Sequence, residues 1–325
     1  MNEITNKPTV GLALGGGGAK GWAHIGILRS LIEAGITPDV VAGTSIGAVV
    51  GGFYACGQLD ALEDWVTRLS FSRVVSLMDF RFNGGLIEGD RLFKSLGEDL
   101  KISEQNIESL KVPFGAVATH LDRGTEVWLR EGSVLKSVRA SAALPGLFSP
   151  TRLNGHWLVD GGLVNPVPVS LCRALGADFV IAVDLNGNQL SHQVGTEKSA
   201  LDSELKGEVD TKEASNGFSL NLSREVVRDK FYDALQGVVD RFRDTDVVTE
   251  SVPSIMDTAI KSINIMSIRI TRSRLAGDPP DILLRPQLNH IGLMDFHRAS
   301  EAIEQGKRES LRQGDTLQAL KSAME

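Results

Sequence analysis

Cysteine is scarce in this chain: only Cys56 and Cys172 occur among 325 residues. Two thiols cannot build a disulfide framework, nor a zinc site on their own. Both lie in apolar, helical-looking runs and read as buried thiols of a reducing compartment. A surplus of basic charge is also missing. With 34 Lys and Arg against 41 Asp and Glu, the net charge is −7, so no global field draws nucleic acid, which is not an expected partner. The first ten residues, MNEITNKPTV, lack the apolar core of a signal peptide, and the expected location is cytoplasmic. No internal repeat is found. What remains is 42% hydrophobic and 23% charged, which excludes disordered and fibrous classes. The length suits one large domain or two ordinary ones.

The longest uncharged run, Val40 to Leu59, has the length of a membrane span. It also holds five glycines, Gly43, Gly47, Gly51, Gly52 and Gly57, and opens with Val40-Val41-Ala42. The better reading is a buried strand, a tight turn and a buried helix. Around it, strand and helix signals alternate from residue 9 to 186. Strands are expected at Thr9 to Leu14, Val40 to Ala42, Phe114 to Thr119, Glu126 to Leu129, Leu158 to Val159 and Phe179 to Val183. A helix is expected from Trp22 to Ala34, stopped by Gly35. This spacing predicts an α/β fold with a mostly parallel central sheet and helices on both faces. Residues 187–222 carry six acidic and three basic residues with one aromatic, Phe218, and read as a mobile polar insertion. Helical signals resume near Glu225, a short strand is expected at Asp281 to Leu284, and a final helix from His297. The domain reading is therefore a core over 1–186, the insertion over 187–222, and a helical C-terminal region over 223–325 completing the same domain.

The strongest chemical signal is Gly43-Thr44-Ser45-Ile46-Gly47, a G-x-S-x-G between a strand and a helix. Such a turn needs small residues around the serine and lifts its hydroxyl clear of the backbone. The helix that starts there favours negative charge at its N-terminus. The glycine run Gly16-x-Gly18-x-x-Gly21 satisfies the local dinucleotide fingerprint, but its acidic ribose partner is absent: Asp39 precedes the second strand instead of following it. A phosphate loop fails too, because Lys20 is followed by Gly21 and Trp22. An oxyanion hole uses both loops. In a parallel sheet the N–H groups of Gly16, Gly17 and Gly18 would lie beside Ser45, each donor worth about 3–4 kcal/mol in acyl transfer.

A serine nucleophile needs a base. Asp160, followed by Gly161 and Gly162 at a strand end, could take the proton directly; an Asp-Gly pair is equally a common turn. Of the six histidines, His24 sits mid-helix and His192 in the insertion, both poor candidates. His290 follows the strand at Asp281 to Leu284 and would give the order Ser45, Asp160, His290 of a Ser–His–Asp esterase or acyltransferase.

Four motifs in order resemble the bacterial patatin-like phospholipases, of the RssA-type branch related to the esterase domain of neuropathy target esterase. They are Gly16 to Gly21 with Lys20, Gly43 to Gly47, Ala140-Ser141-Ala142-Ala143-Leu144-Pro145, and Asp160-Gly161-Gly162. Ala276 to Leu283 is also similar to that branch. The resemblance implies a three-layer patatin-like fold with a helical C-terminal extension. It also implies a serine acyl hydrolase of the phospholipase, lysophospholipase or esterase type, acting on lipid acyl esters through an acyl-enzyme. Carried over by position, Ser45 is the nucleophile, Asp160 the base, and Gly16, Gly17 and Gly18 the oxyanion loop. Lys20, Gly21, Gly43, Gly47, Gly161 and Gly162 support the motifs. No metal or organic cofactor is implied. Many members begin the glycine loop with aspartate where this chain has Gly15, which removes any role for that side chain. A rival from another class is a regulatory or adaptor protein that retains the pocket.

One segment bears on lipid access. Ile255 to Leu275 looks amphipathic, with Ile255, Ala259, Ile263, Met266 and Ile270 on one face and Lys261, Arg269 and Arg272 on another. Two readings fit: a core helix with a solvated basic face, or a helix that rests on an anionic membrane surface.

Overall fold

The computed structural model describes residues 7–77, 89–188 and 255–324. From residue 189 on, the polar insertion lies outside the described residues, as do the helical signals between Glu225 and residue 254. The sheet has eight strands: β1 (Val10–Leu14), β2 (Val40–Thr44), β3 (Phe114–His120), β4 (Glu126–Leu129), β5 (Thr151–Leu153), β6 (His156–Asp160), β7 (Phe179–Val183) and β8 (Ile282–Leu284). Their order is β5-β6-β3-β2-β1-β7-β8, with β4 paired to β3 off that path. Neighbours from β3 through β8 pair parallel, whereas β4 and β6 run antiparallel to β3 and β5 antiparallel to β6. The expected mostly parallel sheet is present, and its antiparallel pairing is confined to pairs that include β4, β5 or β6.

Period-two alternation sorts its side chains into two layers. Val10, Leu12 and Leu14 of β1, Val41 of β2 and Ile181 and Val183 of β7 face the larger core. There the sheet meets α1 (Ala23–Glu33), α2 (Ile46–Ala55) and α6 (Val134–Ser141). Ala13, Val40, Ala42, Val180 and Ala182 face the other way, onto α7 (Val169–Ala174). That face is built of small residues, which lets a two-turn helix lie close. Helix α2 is apolar on all sides and buried apart from Tyr54, as a helix with no polar face must be. The uncharged run from Val40 is thus β2, a turn and α2. No helix among the described residues is long and apolar enough to cross a membrane.

Three further helices are α3 (Leu59–Thr67), α4 (Phe71–Leu77) and α5 (Asp90–Asp99); after the undescribed segment come α8 (Ile255–Gly277), α9 (Ala299–Arg312) and α10 (Gly314–Met324). Three sequence expectations need correction. The strand β5 was not anticipated. Its signal is the Asn154-Gly155 pair, both residues at positive φ, which makes the tight hairpin turn to β6. The single final helix is two, broken at Gln313, whose N–H closes on Glu309 and Ser310. And α8 does not bury the face its hydropathy suggests. Ile268 and Thr271 are buried and Ser267 half-buried, while Ile265 and Met266 are 52% and 51% exposed. Hydrogen bonds orient this helix more than apolar area does: Ser267 Oγ donates to the Gly162 carbonyl at 3.1 Å and Arg274 pairs with Glu126 at 2.6 Å.

Late in the chain, α9 packs on α1 through a reciprocal glycine contact. A Cβ at Gly26 would collide with the Ile303 carbonyl oxygen, and one at Gly306 with that of Ala23. The two backbones touch, so overpacking here cannot relax by a rotamer change. Gly306→Val should lower the unfolding free energy by about 2–3 kcal/mol, read as a lower urea midpoint at unchanged slope. An unchanged midpoint would mean that α9 can stand off α1 without loss.

Candidate active site

Register brings the two central residues together. Strand β4 occupies one edge of β3 from Ala116 to Thr119, so β2 and β6 must share the other. Strand β2 climbs that edge until Thr44 pairs with Val117. Strand β6 descends it until Asp160 pairs with Ala118. The two strand ends meet head-on at adjacent residues of β3, and Ser45 and Asp160 lie where they meet. Ser45 Oγ donates to Asp160 Oδ2 at 2.6 Å, the length of a hydrogen bond to a charged acceptor.

Ser45 has φ 56° and ψ −124°, a strained conformation for a residue with a Cβ. The turn tolerates it because its flanks are bare: a Cβ at Gly47 would strike the Leu14 carbonyl, and one at Gly43 the Ala48 backbone. Hydrogen bonds hold the strain in place. Ser45 N–H donates to Ser141 Oγ at 2.9 Å, and that buried hydroxyl donates on to the Val117 carbonyl at 2.6 Å. Thr44 Oγ1 donates to the Asn165 carbonyl at 2.8 Å. Ser141 belongs to the Ala140 to Pro145 motif, whose physical task the sequence alone did not reveal.

Asp160 is 2% exposed. Its Oδ1 accepts the Gly162 N–H at 2.7 Å, while its backbone is fixed by N–H donation to Ala143 and by Thr119 Oγ1 donating to its carbonyl. Burial pushes its carboxyl up to about 6, against the opposing pull of the Ser45 and Gly162 hydrogen bonds. Ionised at neutral pH and bonded to a hydroxyl, it is placed to accept that hydroxyl's proton.

The glycine loop follows β1, next to β2, and a Cβ on Gly16 would lie 3.3 Å from that of Ser45. Gly21 packs against Ile46, the residue after Ser45. Not all three glycines keep a free donor. Gly16 N–H donates to the Pro166 carbonyl at 3.0 Å, so the expectation that it points at the substrate is corrected. The Gly17 and Gly18 N–H groups have no hydrogen-bond partner among the described residues. Gly15 contributes backbone only, its N–H donating to Val183 and its carbonyl accepting from His24 Nε2 at 2.8 Å. His24, passed over as mid-helix, is fully buried, and that burial lowers its imidazole to about 4. It is therefore neutral, with Nε2 carrying the proton. Lys20 is 4% exposed and its ammonium is lowered to about 8 by burial, with Asp184 pulling the other way. Its Nζ donates to Asn186 Oδ1 at 3.3 Å.

No other histidine with a described side chain approaches the pair by a hydrogen bond. His290 Nε2 faces Glu301 at 2.9 Å, His120 and His156 face each other at 3.1 Å, and His297 stacks edge-on against Phe71; His192 lies outside the described residues. Among the described residues no group of three or more His, Cys, Asp or Glu converges as a metal centre requires. A cavity of about 860 Å3, open mouth included, begins at Ser45. Its walls include Ile46, Val49, Leu69, Phe93, Leu147 and Phe148, and among the described residues no charged side chain lines it. The arrangement suits attack by an activated hydroxyl on a carbonyl that carries a long apolar group.

Comparison with known proteins agrees. The family model described as patatin-like phospholipase matches residues 12–173. An uncharacterized NTE family protein of Mycobacterium tuberculosis is 30% identical over 331 residues, covering 93% of this chain and 90% of that protein. Lysophospholipase nte1 of Emericella nidulans is 35% identical over 54% of this chain, which is 12% of that much longer protein. Patatin-like phospholipase domain-containing protein 6 of Mus musculus is 33% identical over 62% of this chain and 15% of its own length.

The buried carboxylate has a consequence for stability. An aspartate in the unfolded chain loses its proton near pH 3.9, whereas folded Asp160 keeps it to about 6. Between those values the folded state binds the extra proton, so stability falls as pH rises from about 4 to 6, and the deficit persists above that. Asp160→Asn, isosteric and uncharged, should be more stable than the native protein at pH 8 by about 2–3 kcal/mol, with the gain gone at pH 4. Urea denaturation at both values measures it; the same difference at both would remove the buried charge as its cause.

Proposed function

This chain belongs to the patatin-like phospholipase family and is a carboxylic ester hydrolase; on that premise we propose that Ser45 and Asp160 form a two-residue catalytic site that cleaves lipid acyl esters through an acyl-enzyme. The observation that carries this reading is the 2.6 Å bond from Ser45 Oγ to buried Asp160 Oδ2 beside a cavity lined by apolar side chains. Ser45 Oγ attacks the ester carbonyl while its proton passes to Asp160. The carbonyl oxygen, now anionic, is received by the Gly17 and Gly18 N–H groups. Asp160 returns the proton to the departing alcohol, leaving the acyl group on Ser45 within the apolar cavity. Water then attacks the acyl-enzyme with Asp160 again as base, which releases a fatty acid. The lysophospholipase name of the fungal relative favours a lipid substrate. Pairing of β8 with β7 and packing of α9 on α1 support a single core completed by residues 255–324, with a cytoplasmic setting as part of the same proposal.

A second observation bears on how the protein meets lipid. The exposed face of α8 combines Ile265 and Met266 with exposed Lys261, Arg269 and Arg272, a pattern suited to reversible contact with an anionic bilayer.

On a p-nitrophenyl ester of a medium-chain fatty acid, Ser45→Ala and Asp160→Asn should each lose at least about 10³-fold in kcat. The native kcat/KM should rise with pH through an apparent pKa near 6, as Asp160 ionises. His290→Ala should retain most activity; its near-complete loss in folded protein would overturn the two-residue site in favour of a Ser–His–Asp arrangement. Failure of a fluorophosphonate probe to label folded native protein would favour the adaptor reading instead. For the bilayer contact, sedimentation with phosphatidylglycerol vesicles should weaken with salt and when Lys261, Arg269 and Arg272 become Gln. Equal binding by that triple variant would exclude α8 as the contact.

A further inference from the structure

The end of β1 lies between two others: β2, which leads to Ser45, and β7, which leads to Asn186. The glycine loop that leaves β1 therefore has the nucleophile on one flank and Asn186 on the other. Half-buried Asn186 is anchored by donation from its backbone N–H to Asp184 Oδ1 at 3.0 Å. Its side-chain Nδ2 donates to the Gly16 carbonyl at 3.2 Å. Lys20 Nζ, 3.3 Å from Asn186 Oδ1, only donates, so the amide oxygen must face the lysine and the NH2 must face Gly16.

A trans peptide sends its carbonyl and the next N–H in opposite directions. Drawing the Gly16 carbonyl toward the β7 flank thus turns the Gly17 N–H toward the β2 flank, where Ser45 stands. We propose that Asn186, held in sense by Lys20, is a positioning residue of the acyl-transfer site that aims the Gly17 N–H at the developing oxyanion. The proposal rests on the Ser45–Asp160 reading above. It assigns a task to a residue outside every motif and explains why Lys20, which belongs to the glycine loop, is buried behind it instead of facing the cavity.

Two substitutions test this. Asn186→Asp keeps the size and the contact with Lys20 but offers Gly16 no donor; Asn186→Leu keeps the volume and loses both contacts. Since a misaimed donor weakens binding of the transition state alone, kcat on the p-nitrophenyl ester should fall about 10- to 100-fold with KM within about twofold of native. The inhibition constant of an alkyl trifluoromethyl ketone, which adds to Ser45 as an oxyanion, should rise by the same factor as kcat/KM falls. A merely structural loss would not keep those two in proportion. Thermal melting establishes that a variant is folded, and either folded variant suffices. A kcat within twofold of native, or an effect confined to KM, overturns the proposal; failure of both variants to fold assigns the amide to stability and overturns it as well. Absence of Ser45-dependent turnover in the native protein would remove the two-residue site and this proposal together. Ser45-dependent turnover with unaffected variants would remove the proposal alone.

Discussion

One edge of β3 shared by two strands running in opposite directions is the constraint on which the site depends. Strand pairing fixes side chains to within a register step, and a slip of one residue turns every side chain to the opposite face. Thr44 opposite Val117 and Asp160 opposite Ala118 leave no loop between the serine and the carboxylate to vary. Their separation is a property of the sheet, and the hydrogen bond between them inherits the stiffness of the core. This also accounts for β4. By taking the other edge of β3, it obliges β2 and β6 to meet end to end.

Several buried polar groups gather at one margin of the sheet. Lys20, His24, Ser141, Asp160 and Asp184 are all buried, and all cluster where β1, β2, β6 and β7 end. At the opposite ends of the strands, carboxylates do a plainer task. Asp39 accepts from Val10 N–H, Asp178 from Thr9 N–H and Asp281 from Val180 N–H, each at 2.8 Å. They satisfy donors that strand starts would otherwise leave unpaired. Asp39, considered above as a ribose ligand and rejected for lying at the wrong end, belongs to this set. The same residue type thus caps strand starts at one margin of the sheet and lies buried at the other, where burial pushes the Asp160 and Asp184 carboxyls above the usual range.

Local pattern made the strand-turn-helix elements readable. The elbow at Ser45, the apolar run of α2 and the strands β1, β2, β3 and β7 each declare themselves through periodicity and glycine placement within a dozen residues. What the sequence left open was held by contacts distant along the chain. Nothing local distinguishes Gly16 from its neighbours or reveals that its N–H meets Pro166, 150 positions away. A histidine in a helix such as His24 carries no mark of the carbonyl it will support. Asn186 lies in a stretch that reads as loop. The face of α8 escapes hydropathy for a different reason: that scale ranks Ile and Met above Ser and Thr, yet here Ser267 and Arg274 have the specific partners and set the rotation. Asn154-Gly155 is a legible turn, but the three-residue strand before it gives almost no signal.

The contact of Gly26 with Gly306 ties the helix after the glycine loop to one that emerges some 280 residues later. During synthesis, Ser45, Asp160 and the loop leave the ribosome long before α9. Until α9 arrives, α1 has no partner on that side, and the loop it supports through His24 lacks the backing that fixes the Gly15 carbonyl. A nascent chain therefore carries every reactive side chain while its scaffold is unfinished. One of the last helices to be made thus closes on the first, and the backing of the glycine loop is complete only when nearly the whole chain has been synthesised.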